Sequence, residues 1–409
     1  MFKNLFSKKI IYILSNFFLL LSFFLVFYFS FKTVIHNHAY SQIFISYALG
    51  FVKNGLLGEF VFFLKKMTNL DFKIIINLIF LLFHLINIYL FLKIIKPTLN
   101  YSKIIFIFLV LNPALIIFPI YDIGAFLRKE IFAVTAFLFH IYISQQYNYD
   151  LIKKRKYNNY LAYIIFPLLS MNILIHSIQI LFLPVHFLII KNNLNNKFTK
   201  KSLISISLIL IIVLLSSTIG KTISPDELYN ITVDKIGDFN KQFSISSSPY
   251  LFLTQGIFER FKNTLPYFKD TSLVKLYFFS MIIIFTPLLY MLEKIKITKN
   301  KFNFFQILLS IIPFILLIFL ASDWGRWIYL MAVILVGIKL QYKIININDF
   351  NFSILIKIAF FLSIGFYLFF FNLSHCCVKN LFFYGLNQNI DLFFEIMISK
   401  LDIIEHIKY

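Results

Sequence analysis

Apolar runs of about 20 residues recur along this 409-residue chain, each bracketed by short clusters of lysine. That rhythm constrains the fold more than any other feature. At 1.5 Å per residue such a run spans the ~30 Å hydrocarbon core of a bilayer, where a helix satisfies its own backbone hydrogen bonds. A chain that is 60% hydrophobic and 14% charged, with a mean hydropathy of +0.82, has too little charge to cover the surface of a soluble domain of this size. The formal charge of +21 sits in clusters between the apolar runs and forms no continuous basic stripe, so it reads as topogenic charge, with no nucleic-acid partner.

Lysines mark cytoplasmic ends, and the runs can be threaded on that rule. Ile10 to Phe31 follows Lys3, Lys8 and Lys9, so the amino terminus is inside; the run outlasts a signal-peptide core, has no small-residue cleavage site after it, and reads as a retained anchor. Residues 32–73 then lie outside as an interfacial or re-entrant segment with Gly50, Gly55 and Gly58. Ile74 to Ile95 returns to Lys93 and Lys96, Ile104 to Ile120 leads out, and Ile131 to Ser144 leads back to Lys153, Lys154, Arg155 and Lys156. Tyr160 to Ile190 is too long for one span and reads as a helix pair turning near His176 and Ser177. Leu203 to Gly220 leads to a long outer loop, 221–272; Leu273 to Leu292, Phe304 to Leu320, Ile328 to Leu340 and Phe352 to Phe371 follow, leaving an amphipathic outer tail, 372–409. The expectation is an all-α, polytopic integral membrane protein of about eleven spans, a single transmembrane domain over 1–409 with outer-face interfacial helices.

The chain uses lysine wherever any positive charge serves: it has only four arginines, Arg128, Arg155, Arg260 and Arg326, and only two tryptophans, Trp324 and Trp327. In the threading above, three of the four arginines fall outside, against the positive-inside bias, and so need a reason other than orientation. With them fall Lys53, Glu59, Asp122, Glu130, His176 and Asp323. In the stretch from Asn112 to Glu130, Pro119 and Gly124 interrupt the helices and can aim Asp122, Arg128 and Glu130 into one pocket, where an arginine fork suits a phosphate. The alternative is a loop with an internal ion pair.

Ala321-Ser322-Asp323-Trp324-Gly325-Arg326-Trp327 sets both tryptophans around an arginine, which suits a sugar with an apolar face and a polar rim, or an interfacial aromatic belt. In the Gly50 to Glu59 stretch the glycines allow close backbone approach, and Lys53 and Glu59 are the charges. His176 is either a general base or a hydrogen-bonded cap. His36 and His38 lack a completing carboxylate, and the adjacent Cys376 and Cys377 give no ligand spacing, so no metal site is expected. No phosphate-binding loop, nucleophile elbow or dinucleotide fingerprint is present, and the inner loops are too short for a nucleotide domain.

The stretches GFVKNGLLGE, YDIGAFLRKE and SDWGRW, with ten or more spans and one long outer loop late in the chain, resemble bacterial O-antigen and capsular polysaccharide polymerases, the Wzy-like membrane proteins. The resemblance implies residence in the bacterial cytoplasmic membrane with the active face periplasmic, and transfer of a glycan from a polyprenyl diphosphate carrier to another lipid-linked repeat unit, without cofactor. It implies diphosphate contacts from Arg128, Arg326, Arg260 and Lys53, sugar contacts from Trp324 and Trp327, and a base among Asp122, Glu130, Asp323 and His176. It also implies a chain-length regulator or flippase as partner. Two alternatives stand beside it: a GT-C-type transferase of a polyprenyl-phosphate sugar, whose early outer acid would be Glu59 or Asp71, and a transporter or flippase, for which His84, Asn87 and Asn172 are the mid-span polar groups.

Overall fold

The structure, a computed structural model, describes residues 7–32, 37–52, 54–122, 125–147, 151–194, 204, 206–213, 224–297, 304–342 and 344–347. Lys53, His36, the side chain of Arg155, the expected last span and the tail 372–409 lie outside the described residues. The described residues are helical nearly throughout: α1 (Lys8–Lys32), α2 (Asn37–Ile43), α3 (Leu56–Thr68), α4 (Phe72–Ile95), α5 (Lys103–Leu111), α6 (Phe118–Tyr121), α7 (Glu130–Tyr147), α8 (Leu151–Tyr160), α9 (Phe166–Ile175) and α10 (Gln179–Leu194). A helical segment at 206–213 is α11, followed by α12 (Pro225–Ile236), α13 (Asp238–Phe243), α14 (Ser248–Thr254), α15 (Ile257–Lys269), α16 (Thr271–Lys294), α17 (Phe304–Leu320) and α18 (Trp324–Leu340). The exception among the described residues is a short antiparallel ladder of β1 (Ile295–Ile297) on β2 (Ile344–Ile347), which joins the ends of α16 and α18.

Four helical stretches, Lys8–Tyr28, Phe72–Asn100, Lys156–Ile175 and Thr271–Lys294, are long and apolar enough to cross a bilayer, and Ser310–Leu320 is a shorter apolar one. Their outward faces are oily. Ile13, Phe17 and Phe24 on α1, Phe278, Phe279 and Ile282 on α16, and Ile312, Leu316 and Phe319 on α17 are all exposed, apolar surface that water disfavours and lipid does not.

Contacts fix how the helices run. Lys8 Nζ donates to the Asn100 carbonyl (2.8 Å), Phe23 lies against His84 (5.1 Å between ring centroids), and Lys73 sits over Phe31 at the far end, so α1 and α4 are antiparallel. Gln145 Nε2, near the end of α7, donates to the carbonyls of both Ile94 (3.2 Å) and Leu340 (2.5 Å), tying the ends of α4, α7 and α18 together. These three helices are therefore parallel and finish beside Lys93, Lys96 and Lys339, while Asn193 Nδ2 on Ser144 Oγ (2.7 Å) brings α10 to the same lysine-rich end. The starts of α7 and α18 meet away from that end, where the polar residues gather.

Two elements differ from the sequence expectation. Ile104 to Ile120 is not one helix: Asn112 takes an extended conformation because Pro113 follows it, its side chain accepts from the Ala114 N–H (2.9 Å), and a turn then leads to the four-residue α6. At about 13 Å, α5 alone reaches less than half of a bilayer core. The Tyr160 to Ile190 region does divide at His176, which is extended, but α8 and α9 form one continuous helix through a π turn at Leu161–Ile165, placed where Pro167 has no N–H to donate.

The helix α3 packs closely on the backbone at Ile45. A Cβ added to Gly58 on α3 would lie 2.1 Å from the carbonyl oxygen of Ile45, a backbone atom that no rotamer change can move aside. Gly58→Ala should therefore lower the thermal unfolding midpoint in detergent, by an amount corresponding to roughly 1–3 kcal/mol, whereas Gly256→Ala, at a position with open space around it, should leave the midpoint unchanged.

Candidate functional site

The site is built on the first turn of α7. Glu130 opens this helix inside the bundle, and three buried side chains from neighbouring helices hold its backbone. His84, midway along α4, donates from Nε2 to the Phe126 carbonyl (2.9 Å) and stacks on the Phe126 ring; Asn87 reaches the Ile131 carbonyl (3.4 Å); Asn172 on α9 reaches the Phe132 carbonyl (2.9 Å). The connector that delivers Glu130 thus meets α4 at mid-length, not at its end. Where the sequence placed these groups at or beyond the ends of the spans, the structure recesses them.

The connector is also pinned from the side. Lys129 is buried and donates to the Asn54 carbonyl (3.1 Å), while the Asn54 side chain accepts from the Ser177 N–H (2.8 Å) in the turn between α9 and α10. Asn54 stands at a positive φ of 66°, which asparagine tolerates better than most residues. Burial pushes the Lys129 ammonium down to about 7, with the Glu130 charge pulling the other way.

Against this frame sits an ion chain. Arg326, on the first turn of α18, donates from Nη1 to Glu130 Oε1 and from Nη2 to Asp323 Oδ2, so one guanidinium joins two carboxylates. The Glu130 and Arg326 side chains keep only 5% and 7% of their exposure, while that of Asp323 keeps 23%. His176 Nε2 stands 3.6 Å from Glu130 Oε1; burial pushes the imidazole below its ordinary range, and Glu130 opposes that shift. Arg128 interacts electrostatically with Arg326, Asp323, Glu130 and Asp122. Glu130 Oε2 and Arg326 Nε are buried with no hydrogen-bond partner among the described residues.

A small pocket of about 20 Å³, room for about one water, opens onto this chain between Phe118, Arg128, Glu130, Ile131, Arg326 and Tyr329. One wall is apolar, with Phe118 stacked on Tyr329 (4.8 Å), and the other carries the charges. Three helices, α7, α10 and α18, begin around this cluster, so the positive ends of their dipoles add to the field of the two arginines. The arrangement can bind an anionic group and offers a carboxylate oxygen to a proton.

Asp122, Arg128, Glu130, His176, Asp323 and Arg326, which are far apart in the chain, are thus brought together. Arg260 is placed elsewhere: on α15 its Nη2 donates to the Phe252 carbonyl (2.6 Å). Trp324 is buried between Phe268 and Tyr277, and its Nε1 donates to the Ile318 carbonyl (2.9 Å), so its ring offers no open face to a sugar. Trp327 is buried as well, with the Arg326 guanidinium 5.2 Å from its ring centroid. Lys129, Asn54 and Tyr329 were not singled out from the sequence; Asn54 lies in the GFVKNGLLGE stretch and Lys129 in YDIGAFLRKE, so the signal was their place beside chosen residues.

No protein-family model, curated protein or solved structure matches the chain, so the site stands on its own geometry.

The ion chain carries its own test. Arg326→Met would leave two carboxylates facing each other in apolar surroundings and should cost on the order of 3–5 kcal/mol of thermal stability in detergent. Adding Glu130→Gln to that variant should recover part of the loss, because the partner it abandons is then neutral. Equal midpoints for wild type and Arg326→Met would show that the guanidinium does not hold α7 to α18.

Proposed function

We propose that this chain is a polytopic membrane glycosyltransferase that polymerises lipid-linked repeat units, moving a glycan from a polyprenyl diphosphate carrier onto the terminal sugar of an acceptor. In this reading it crosses the bacterial cytoplasmic membrane about eleven times, with its amino terminus inside and the Glu130 pocket open to the periplasmic face. The observation that carries it is a buried carboxylate with one unpartnered oxygen, Glu130 Oε2, on the wall of a pocket that also holds Arg128 and Arg326.

The chemistry follows from those positions. The acceptor hydroxyl oxygen attacks the anomeric carbon, the bond from that carbon to the diphosphate oxygen breaks, and the hydroxyl proton passes to Glu130 Oε2. The departing diphosphate takes the bonding pair, and its charge is met by Arg128 and by the three helix starts, the kind of fixed electrostatic stabilisation that dominates such barriers. Arg326 is committed to Glu130 and Asp323, so it acts as the positioning residue that holds the base in place and ionised. His176, against Glu130, passes the proton on to solvent. The Phe118 and Tyr329 rings face the apolar side of the sugar or the first isoprene units.

A GT-C-type transferase of a polyprenyl-phosphate sugar has weaker support. Its early outer acid would be Glu59 or Asp71, but Glu59 Oε1 accepts from the Tyr47 N–H (2.7 Å) and Asp71 caps α4 through the Lys73 N–H (2.7 Å). Both are committed to holding backbone.

The test is the length of lipid-linked glycan on a gel, in a strain deleted for the gene and complemented with wild type, Glu130→Gln, Arg128→Lys or Arg260→Lys, at matched membrane levels. Deletion should leave single repeat units. Glu130→Gln should match the deletion, Arg128→Lys should shorten chains strongly, and Arg260→Lys should resemble wild type. Units incomplete by one sugar in the deletion strain would turn the assignment to a single-sugar transferase, and normal chains would end the transferase reading.

A further inference from the structure

The stretch before α16 carries an apolar surface that the described residues leave uncovered. On α15, Phe258 keeps 83% of its exposure, and Phe261 and Leu265 are exposed as well. Their i, i+3, i+7 spacing puts the three side chains on one stripe of the helix, within about 60° of arc at 3.6 residues per turn. Lys262 and Lys269 are exposed along one edge of that stripe, and Glu259 and Asn263 are exposed beyond them. Thr264 is buried, and Tyr267 and Phe268 are half-buried, on the side of α15 that meets the bundle. Leu251 and Phe252 on α14 are exposed too, and Arg260 Nη2 on the Phe252 carbonyl (2.6 Å) ties α14 to α15.

Two observations say what covers this surface. First, α15 ends at Lys269, and two residues later Thr271 opens α16, a helix long and apolar enough to cross a bilayer. Asp270 is the joint, accepting from the N–H groups of Ser272 (3.2 Å) and Leu273 (3.3 Å), so the end of α15 sits where α16 enters the membrane. Second, Phe268 stacks on Phe319 (5.4 Å between ring centroids) near the end of α17, and Phe319 belongs to the exposed apolar face of that helix. The stripe on α15 is therefore joined to a surface that lipid covers. The lysines fit the same occupant, because their stems lie along apolar surface while the ammonium groups reach towards phosphate.

We propose that α15 is an interfacial helix seated in the leaflet from which α16 enters, with Phe258, Phe261 and Leu265 among the acyl chains and Lys262 and Lys269 at the phosphates of phospholipid headgroups. The long segment between α11 and α16 then returns to the bilayer before the next span, laying about 20 Å of helix against lipid where hydropathy assigns the chain to solvent. The proposal rests on the membrane reading of α16 and α17 and is independent of the Glu130 chemistry.

The experiment places nitroxide labels on single cysteines in the full-length protein, with Cys376→Ser and Cys377→Ser as the background, in vesicles of phosphatidylcholine and phosphatidylglycerol. Relaxation by oxygen, which concentrates among acyl chains, is compared with relaxation by a water-soluble nickel chelate. Labels at Phe258→Cys and Leu265→Cys should give an oxygen-to-nickel ratio about threefold above that at Asn263→Cys, and close to that at Phe278→Cys on the exposed face of α16. Leu265→Cys decides alone if Phe258→Cys fails to fold by gel filtration. Ratios at 258 and 265 equal to that at 263 would overturn the proposal by placing the stripe in water, and labels shielded from both reagents would overturn it in favour of a protein partner. A low ratio at Phe278→Cys would remove the membrane reading itself, and the proposal with it.

Discussion

The arrangement at the heart of the bundle depends on one guanidinium. Arg326 reaches from the start of α18 to Glu130 at the start of α7, and its other nitrogen holds Asp323. Only an arginine does this well: its planar fork gives two donors at fixed spacing, while a lysine ammonium would serve as a single point charge. A chain that otherwise uses lysine for positive charge places one of its four arginines here. Desolvation of three ionised groups is costly, and pairing them offsets much of that cost without making the trio a source of net stability. The interaction instead specifies which helix starts meet, and therefore where the pocket forms.

Polar side chains elsewhere do similar work. Lipid tails are as apolar as leucine, so burial in a bilayer gives helices little reason to choose one neighbour over another, and interhelical hydrogen bonds supply the choice. Asn87 and Asn172 each end on a carbonyl at the beginning of α7, His84 ends on one in the connector before it, and Gln145 bridges α4 and α18 at its end. Gly337 adds close contact: a Cβ there would lie 2.5 Å from the Phe137 ring, so α18 approaches α7 where it has no side chain. The helix that carries Glu130 is thus tethered to its neighbours at both ends.

The helical architecture was legible in the sequence because bilayer thickness and lysine placement act on runs of about 20 residues, a scale that composition alone records. The bounds of α7, α16, α17 and α18 follow those runs closely. The break at Asn112 was harder to see, since Pro113 stood in an apolar run that hydropathy averages over; the local rule about the residue before proline carried the information. At the site, rarity worked for the arginines, which have little use here except where a fork is required. It failed for the tryptophans. Trp324 is scarce and next to Arg326, yet it fills the space between Phe268 and Tyr277, and no feature of SDWGRW separates a packed ring from an open one. Lys129 and Asn54 escaped because their contacts join residues 75 apart in the chain, and no local pattern encodes such a meeting.

The recess of the site has a chemical consequence that follows from the same tethers. Because the connector meets α4 at His84 and not at Phe72, the Glu130 pocket lies well below the end of α4, among apolar side chains. There the field of two arginines and three helix starts is screened far less than at a wet surface. The same depth penalises any unpaired charge, and the cluster sets Arg128 and Arg326 among three carboxylates, Glu130, Asp323 and Asp122. A further unpaired charge at this depth would be costly, which ties the burial of the cluster to its pairing.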